Sequence, residues 1–383
     1  MQGTKMSPSQ PEPYGDPVRS SVDGFESAAQ RMRRVLRTRP AESALHRVLA
    51  GSADLFRGDD YPQRLAEAAA GTQLPVTTGR RIAVVGTRGG AGKTTVSALL
   101  ARIYAAMRTD TVAAVDLAPG AGTLGLRLGV PHAPPLETAA ARLRTGTPDS
   151  LRGLAALLTA AEPANLLVTG RRRTLERPAD GVPHPSAGTW TPAGPLVPPA
   201  WTPDGAAAPP GPGAAGEETA QDVPDGASRM SRVISRYCPI TLFDCGPGLT
   251  DPAVLWAVAN SHLAVFVTPA SVAGLEDALE YSEAWRHSPG LSGVPLLVLV
   301  AQPAGGVLRA SREAGRLLRA GVETVHLGHD RHLAAGVEVN PSLLSRRTRL
   351  EAVAVASRVL SAAAPTPGSR RPGEQPARRN VYP

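Results

Sequence analysis

A chain of 383 residues with 42% hydrophobic side chains is long enough for a substantial core, while 38 prolines and 39 glycines, unevenly spread, leave part of that length unable to pack. No run of about 18 apolar residues occurs, and the start MQGTKMSPSQPEP lacks the basic-then-apolar order of a secretory leader, so a cytoplasmic chain without a transmembrane segment is expected. The net charge of +8 rests almost wholly on arginine, lysine occurring only at Lys5 and Lys93, which weakens any inference from arginine runs to nucleic acid or anionic lipid.

Residues 1–22 are rich in Pro and Ser and are expected to be disordered. From Phe25 to Leu36 the apolar positions Phe25, Ala28, Ala29, Met32, Val35 and Leu36 recur at helical spacing opposite arginines, which reads as a short basic amphipathic helix lying on the main domain or on a membrane or partner. Helical patterns continue through ESALHRVLAGSADLF and YPQRLAEAAAG, so 23–79 forms a helical extension leading to a strand near residue 80. There strand and helix begin to alternate: RIAVVG, a helix from Thr94, TVAAVD, two alanine-rich helices between about 135 and 161, and NLLVTG. After an interruption come a helix in SRMSRVISRY, the strand PITLFD, a helix near Asp251 to Ala259, LAVFVT, a helix near Ala273 to Trp285, VPLLVLV and GVETVHLG. Short apolar strands alternating with helices predict an α/β domain over 80–363 with a parallel sheet covered on both faces. The interruption, 171–226, is too rich in Pro, Gly and Ala to pack and reads as a disordered insertion within the domain, because the alternation resumes after it. Trp190 and Trp201 lie in it, each followed by Thr-Pro; a solvated linker and a docking peptide both fit that pattern. Residues 364–383 form a disordered basic tail, and Cys238 and Cys245, without metal-ligand spacing, read as packed reduced thiols.

The chemistry concentrates in VVGTRGGAGKTTVSALL. A turn that follows a strand and opens a helix aims its free N–H groups at one spot, where the helix dipole also favours negative charge. Gly89, Gly90 and Gly92 let the backbone wrap phosphate oxygens, Lys93 reaches the terminal phosphates and Thr94 offers a hydroxyl to Mg²⁺, although Thr87 stands where the strict pattern has glycine. A nucleotide triphosphate site also needs an acid on a neighbouring strand, and ITLFDCGPG supplies Asp244, followed by Gly246 and Gly248, whose N–H groups suit a γ-phosphate sensor. Asp116 closes a second strand near the same edge, where ligands of open α/β sheets gather; a turn or helix-capping aspartate is its other reading.

RGGAGKTT, VDLAPGAGTLGLRLG and FDCGPG, in that order, make the chain resemble the deviant Walker A (MinD/ParA) P-loop ATPases over roughly 80–360 without the insertion. The resemblance implies a P-loop NTPase fold, a three-layer sandwich around a mostly parallel twisted sheet, with ATP and Mg²⁺ as cofactors and an ATP-dependent homodimer as the working form. Nucleotide contacts then fall to Thr87, Gly89, Gly90, Ala91, Gly92, Lys93, Thr94, Thr95, Gly246 and Gln302, metal contacts to Thr94, Asp244 and Asp116, and the catalytic roles to Lys93, Arg88 and Asp116. Three departures stand out. Arg88 replaces the family's cross-dimer lysine and either serves as a phosphate-binding finger or faces solvent. Asp116-Leu117-Ala118-Pro119 replaces Asp-x-Asp-Pro, so the acid that orients the attacking water is missing and hydrolysis is expected to be slow or absent. Gln302 follows the strand end where the family carries an asparagine that reads adenine.

His326, His329 and His332 recur every three residues, a metal-like spacing that the resemblance turns into ordinary loop histidines. Arg346, Arg347 and Arg349 open a helix that suits DNA phosphates, without aromatic interleaving or a base-reading module. SLLSRRTRLEAVAVASRVLSAAA is too alanine- and valine-rich on its apolar face for a lipid anchor. The expectation is a cytoplasmic, nucleotide-dependent dimerising switch with a further protein partner and non-specific DNA or a membrane surface as its track, serving chromosome or plasmid partitioning, septum placement or type VII (ESX) secretion. The alternative is a non-hydrolysing, ATP-bound scaffold that recruits partners through its Pro/Trp-rich segments.

Overall fold

The computed structural model describes residues 60–118, 122–170, 222–288, 291, 294–303 and 308–364. The expected disordered segments, Trp190 and Trp201 among them, lie outside them except at residues 222–226 and 364, as do the helices expected before residue 60.

Eight strands form one sheet in the order β3-β4-β2-β5-β1-β6-β7-β8. They are β1 (Arg80–Val85), β2 (Val112–Asp116), β3 (Thr159–Ala161), β4 (Leu166–Val168), β5 (Ile240–Asp244), β6 (Leu263–Pro269), β7 (Leu296–Val300) and β8 (Thr324–Leu327). All neighbours run parallel except β3 against β4. The side-chain period of two splits β1 between faces: Ile82 and Val84 enter one core, Ala83 and Val85 the other. The first core is covered by α2 (Lys93–Met107) and α11 (Arg346–Ala363), the second by α6 (Asp222–Tyr237), α7 (Pro252–Ala259) and α8 (Val272–Arg286). This is the three-layer α/β architecture expected from buried apolar strands. Shorter helices fill the connections: α3 (Leu124–Arg127), α4 (Leu136–Arg142), α5 (Leu151–Leu157), α9 (Ala310–Arg319) and α10 (Arg331–Ala334). Among the described residues no helix is long and apolar enough to cross a membrane.

Two features differ from the sequence pattern. The alanine-rich stretch ending at 161 is helical only to Leu157; Thr159–Ala161 pairs with β4 instead, because Asn165 pins the intervening turn by donating to the carbonyls of Ala105, Arg108 and Asp110. The helix before β5 starts at Asp222, upstream of SRMSRVISRY and inside the stretch expected to be disordered to 226, so the α/β alternation resumes earlier than its Pro/Gly composition suggested.

The helix before β1, α1 (Tyr61–Thr72), is built into the domain. Leu65, Ala68 and Ala69 pack on the first core, and a Cβ on Gly71 would fall 1.9 Å from Ser357 Oγ on α11, so glycine permits the close crossing. Tyr104 Oη donates to Ala356 O at 2.7 Å, tying α2 to α11 inside the core. Arg108 donates to the carbonyls of Thr72 and Leu74, fixing where the chain leaves α1. The site thus rests on a braced helical layer.

Candidate nucleotide site

The loop between β1 and α2 lies at the carboxyl edge of the sheet, beside the central strand where the chain order reverses. At its start a Cβ on Gly86 would meet Val267 O at 2.3 Å, so only glycine passes β6 at this distance. Gly90 and Gly92 take φ of +73° and +99°, left-handed conformations that bend the loop into the N-terminus of α2. Among the described residues no atom lies within 4 Å of a Cβ built on Gly89 or Gly90, which leaves this part of the loop open, and no side chain caps α2. The first amides of a fifteen-residue helix therefore face that opening.

Lys93 is only 7% exposed and its Nζ donates to Arg88 O at 2.7 Å, so the ammonium lies back along the loop. Burial lowers its pKa, and the neighbouring Asp244 opposes that shift. Asp244 ends β5 in full burial. Its Oδ1 accepts from Ser97 Oγ at 2.8 Å, while Oδ2 has no hydrogen-bond partner among the described residues. Burial pushes its pKa up; the hydroxyls of Thr94 and Ser97 and the charges of Lys93 and Arg127 hold it down. A buried carboxylate oxygen without a partner, beside an ammonium and below an open glycine loop, suits the hydration shell of a phosphate-bound cation. Beyond it, Cys245 N donates to Val84 O and Gly248 N to Gly86 O, both at 3.1 Å, lacing the segment that contains Gly246 to the base of the phosphate loop. Cys238 and Cys245 are free and buried, and burial raises both thiols, Cys238 to about 12.

Asp116 stands in register with Asp244 on the adjacent strand, which parallel spacing puts about 4.8 Å away at the backbone. Its carboxylate faces its own loop: Oδ1 accepts from Ala118 N at 3.0 Å and Oδ2 from Leu124 N at 3.3 Å. A Cβ on Gly122 would lie 2.3 Å from Oδ2, so the returning chain presses on the acid. Ala118 brings no oxygen to this side.

The two unusual loop residues share one partner that the sequence pattern did not reveal. Arg88 donates from Nε and Nη2 to Asp277 at 2.7 and 3.1 Å, and Thr87 Oγ1 donates to the same carboxylate at 2.9 Å. Asp277 lies on α8 of the same chain, and Arg88 stays 48% exposed. The guanidinium is thus clasped within the chain while about half of it stays exposed. Ser97 and Gly86 were missed as well: Ser97 was legible as a polar residue one turn after Lys93 on an apolar helix face, Gly86 only from the approach of β6.

Gln302 lies past β7, its Nε2 donating to Val300 O at 3.3 Å, on a cavity of about 430 Å³ that it shares with Arg309, His329, Ser345 and Thr348. β7 abuts the phosphate loop, since a Cβ on Gly92 would touch Val300 at 3.4 Å. The three histidines go separate ways. His326 Nε2 is 3.5 Å from Glu351, His332 accepts from Asn340 N at 2.9 Å, and His329 lines the Gln302 cavity. Against burial, which raises it, His326, Arg347 and the N–H of Gly328 hold the Glu351 carboxyl down to about 2. Arg346 stacks over the Tyr61 ring at 4.2 Å and Arg347 pairs with Glu351, which removes two of the three arginines from a free basic patch. The stretches TLGLRLG and DRHLAAG meet: Arg127 Nη1 donates to Leu333 O at 2.9 Å, and Arg127 O accepts from Val339 N.

Residues 82–248, from β1 through the phosphate loop to the segment after Asp244, match the model of the CobQ/CobB/MinD/ParA nucleotide binding domain. The chain carries a CobQ/CobB/MinD/ParA nucleotide binding domain. A curated relative of the chain is the ESX-1 secretion-associated protein EspI of Mycobacterium tuberculosis, 25% identical over 287 residues, covering 72% of the chain and 36% of the relative. The chain thus spans little more than a third of that protein's length. Among solved structures, the ParA family ATPase of Chlorobium tepidum superposes with a TM-score of 0.49 at 15% identity, covering 73% of this chain and 98% of that one. The cell division ATPase MinD of Pyrococcus furiosus gives 0.47 at 18% identity, covering 72% and 97%.

Proposed function

We propose that the domain binds ATP with Mg²⁺ and acts as a slow, dimerising nucleotide switch that positions or partitions other cellular components. The observation that carries this reading is the partnerless, buried Oδ2 of Asp244 beneath the open glycine loop, flanked by Lys93, Thr94 and Ser97. The amides of Gly89 to Thr95, with Lys93, hold the phosphates; Thr94 and Asp244 hold the metal shell, with Asp116 shaping the loop beside it; Gln302 lies on the base side. Bound Mg²⁺ supplies charge neutralisation to the phosphates. Arg88 takes the cross-dimer role by leaving Asp277, an exchange of one half-buried carboxylate for a phosphate of the second copy's nucleotide. The protein works at the cytoplasmic face of a membrane or at the nucleoid, with a protein partner that sets its cargo. Likeness to a protein associated with ESX-1 secretion favours a secretion-linked role over a DNA track, and the engagement of Arg346 and Arg347 within the domain points the same way.

Ala118 supports a second reading, an ATP-bound scaffold that does not turn over. Phosphate release and ATP binding by the full chain, beside Lys93→Ala, separate the two. The switch predicts slow turnover abolished in Lys93→Ala, with ATP binding about a hundredfold weaker. Turnover equal to that variant while ATP still binds selects the scaffold, and no ATP binding sinks both. Retention on DNA that weakens steeply with salt would reinstate the DNA track.

A further inference from the structure

Among the described residues β8 is an edge strand, and a groove runs along it between α9 and α11. Its volume is about 620 Å³, with Val325 on the floor, Ala314, Gly315 and Leu318 on one wall and Leu350 and Ala354 on the other. Leu318 is 48% exposed, and no atom lies within 4 Å of a Cβ built on Gly315. Past Leu350 and Ala354 the trough continues as a hollow of about 420 Å³ beside Ser357 and Arg358. Small residues on facing helices with an apolar floor are what a third helix needs to approach closely. Alternation along β8 turns the peptide groups of Thr324 and His326 away from β7, towards the groove.

We propose that residues 42–56 of this same chain, ESALHRVLAGSADLF, dock in this groove as a helix. At helical spacing Leu45, Val48, Leu49, Leu55 and Phe56 share one apolar face in the sequence, while Leu65, Ala68 and Ala69 of α1 pack on the first core. The tether decides the occupant. The link from Phe56 to Tyr61 reaches at most about 18 Å. Tyr61 is itself anchored under Arg346 at the start of α11, and Arg64, one turn further on, lines the groove. The segment is thus held beside the groove at the high effective concentration of a short linker, which a free partner has to overcome. Ser311, His326, Arg347 and Glu351 line both this groove and the Gln302 cavity, so the docked helix abuts the base side of the nucleotide site.

Amide hydrogen exchange on the full chain tests this, with Gly315→Trp filling the groove and Leu49→Asp spoiling the helix face. In the wild type the amides of 42–56 should exchange at least about tenfold more slowly than a free peptide. Each variant should remove that protection while α2 and β1 keep theirs. If Gly315→Trp unfolds the domain, so that α2 and β1 also lose protection, Leu49→Asp decides alone. Free-peptide exchange of 42–56 in the wild type overturns the proposal, as does protection that survives in a folded Gly315→Trp. Protection that fades on dilution assigns the groove to a second copy's segment, and protection of β8 without that of 42–56 assigns it to another molecule; both overturn the docking within one chain.

Discussion

Asp116 and Asp244 end neighbouring strands in register, both fully buried, yet their carboxylates are engaged differently. Asp244 meets hydroxyl and ammonium groups of α2 and keeps one oxygen without a partner, whereas both oxygens of Asp116 accept amides of its own loop. The first is arranged to take something from outside the chain, the second to hold the chain's own turn. If the proposed nucleotide site is right, the Asp244 side serves binding, while the Asp116 side has a shaped loop but, with alanine at 118, no acid to orient water. Binding and turnover should then be separable, and substitutions on the two sides should affect them independently.

The largest effect expected on the switch side is a gain. Ala118→Asp restores a carboxylate next to the turn that Asp116 holds, and a well-placed base is worth about a hundredfold or more in rate. Phosphate release should rise by about that factor while ATP affinity, set on the Asp244 side, stays within about threefold. An unchanged rate would show that residues 116–119 are not the segment that positions water, and the contrast between the two acids would lose its meaning.

Two glycines sharpen the contrast at the level of stability. Gly122→Ala puts a methyl group 2.3 Å from Asp116 Oδ2, and relieving that overlap should cost about 1–3 kcal/mol. Gly89→Ala meets open space and should leave the denaturant midpoint almost unchanged while weakening nucleotide binding by narrowing the loop. Urea unfolding of both variants, beside nucleotide titration, gives the comparison. Equal destabilisation by the two would mean that the switch loop is not braced on Asp116.

The sheet and the phosphate side were legible because their signals are local. An apolar run ending in aspartate, or glycines before Lys-Thr, carries its meaning within about ten residues. What stayed hidden depends on residues far apart in the chain. Asp277 reads as one more acid on a charged helix until α8 brings it to Thr87 and Arg88, some 190 positions earlier. Likewise Asp116 has the same sequence signature as Asp244, a strand-ending acid before a glycine-rich turn, and only the amides of Ala118 and Leu124 show which of the two is occupied by backbone. β3 was read as helix because its alanines favour one, and the pairing to β4 that overrides them is set by Asn165 reaching back to the end of α2.

The smallest effect concerns the clasp itself. Arg88 and Asp277 form a bidentate pair, but at the surface such a pair contributes no more than about 1 kcal/mol and is screened by salt. That modest value suits a contact meant to be exchanged. Asp277→Asn keeps the shape and removes the charge, so the thermal midpoint should hardly move. If the clasp competes with dimerisation, ATP-dependent dimer formation should strengthen by up to about fivefold, the factor that corresponds to 1 kcal/mol, and the gain should shrink at high salt. Sedimentation with ATP at two ionic strengths measures both. A weaker dimer in Asp277→Asn would mean that Asp277 supports the dimer rather than restraining Arg88, placing α8 on the binding side of the division drawn between the two acids.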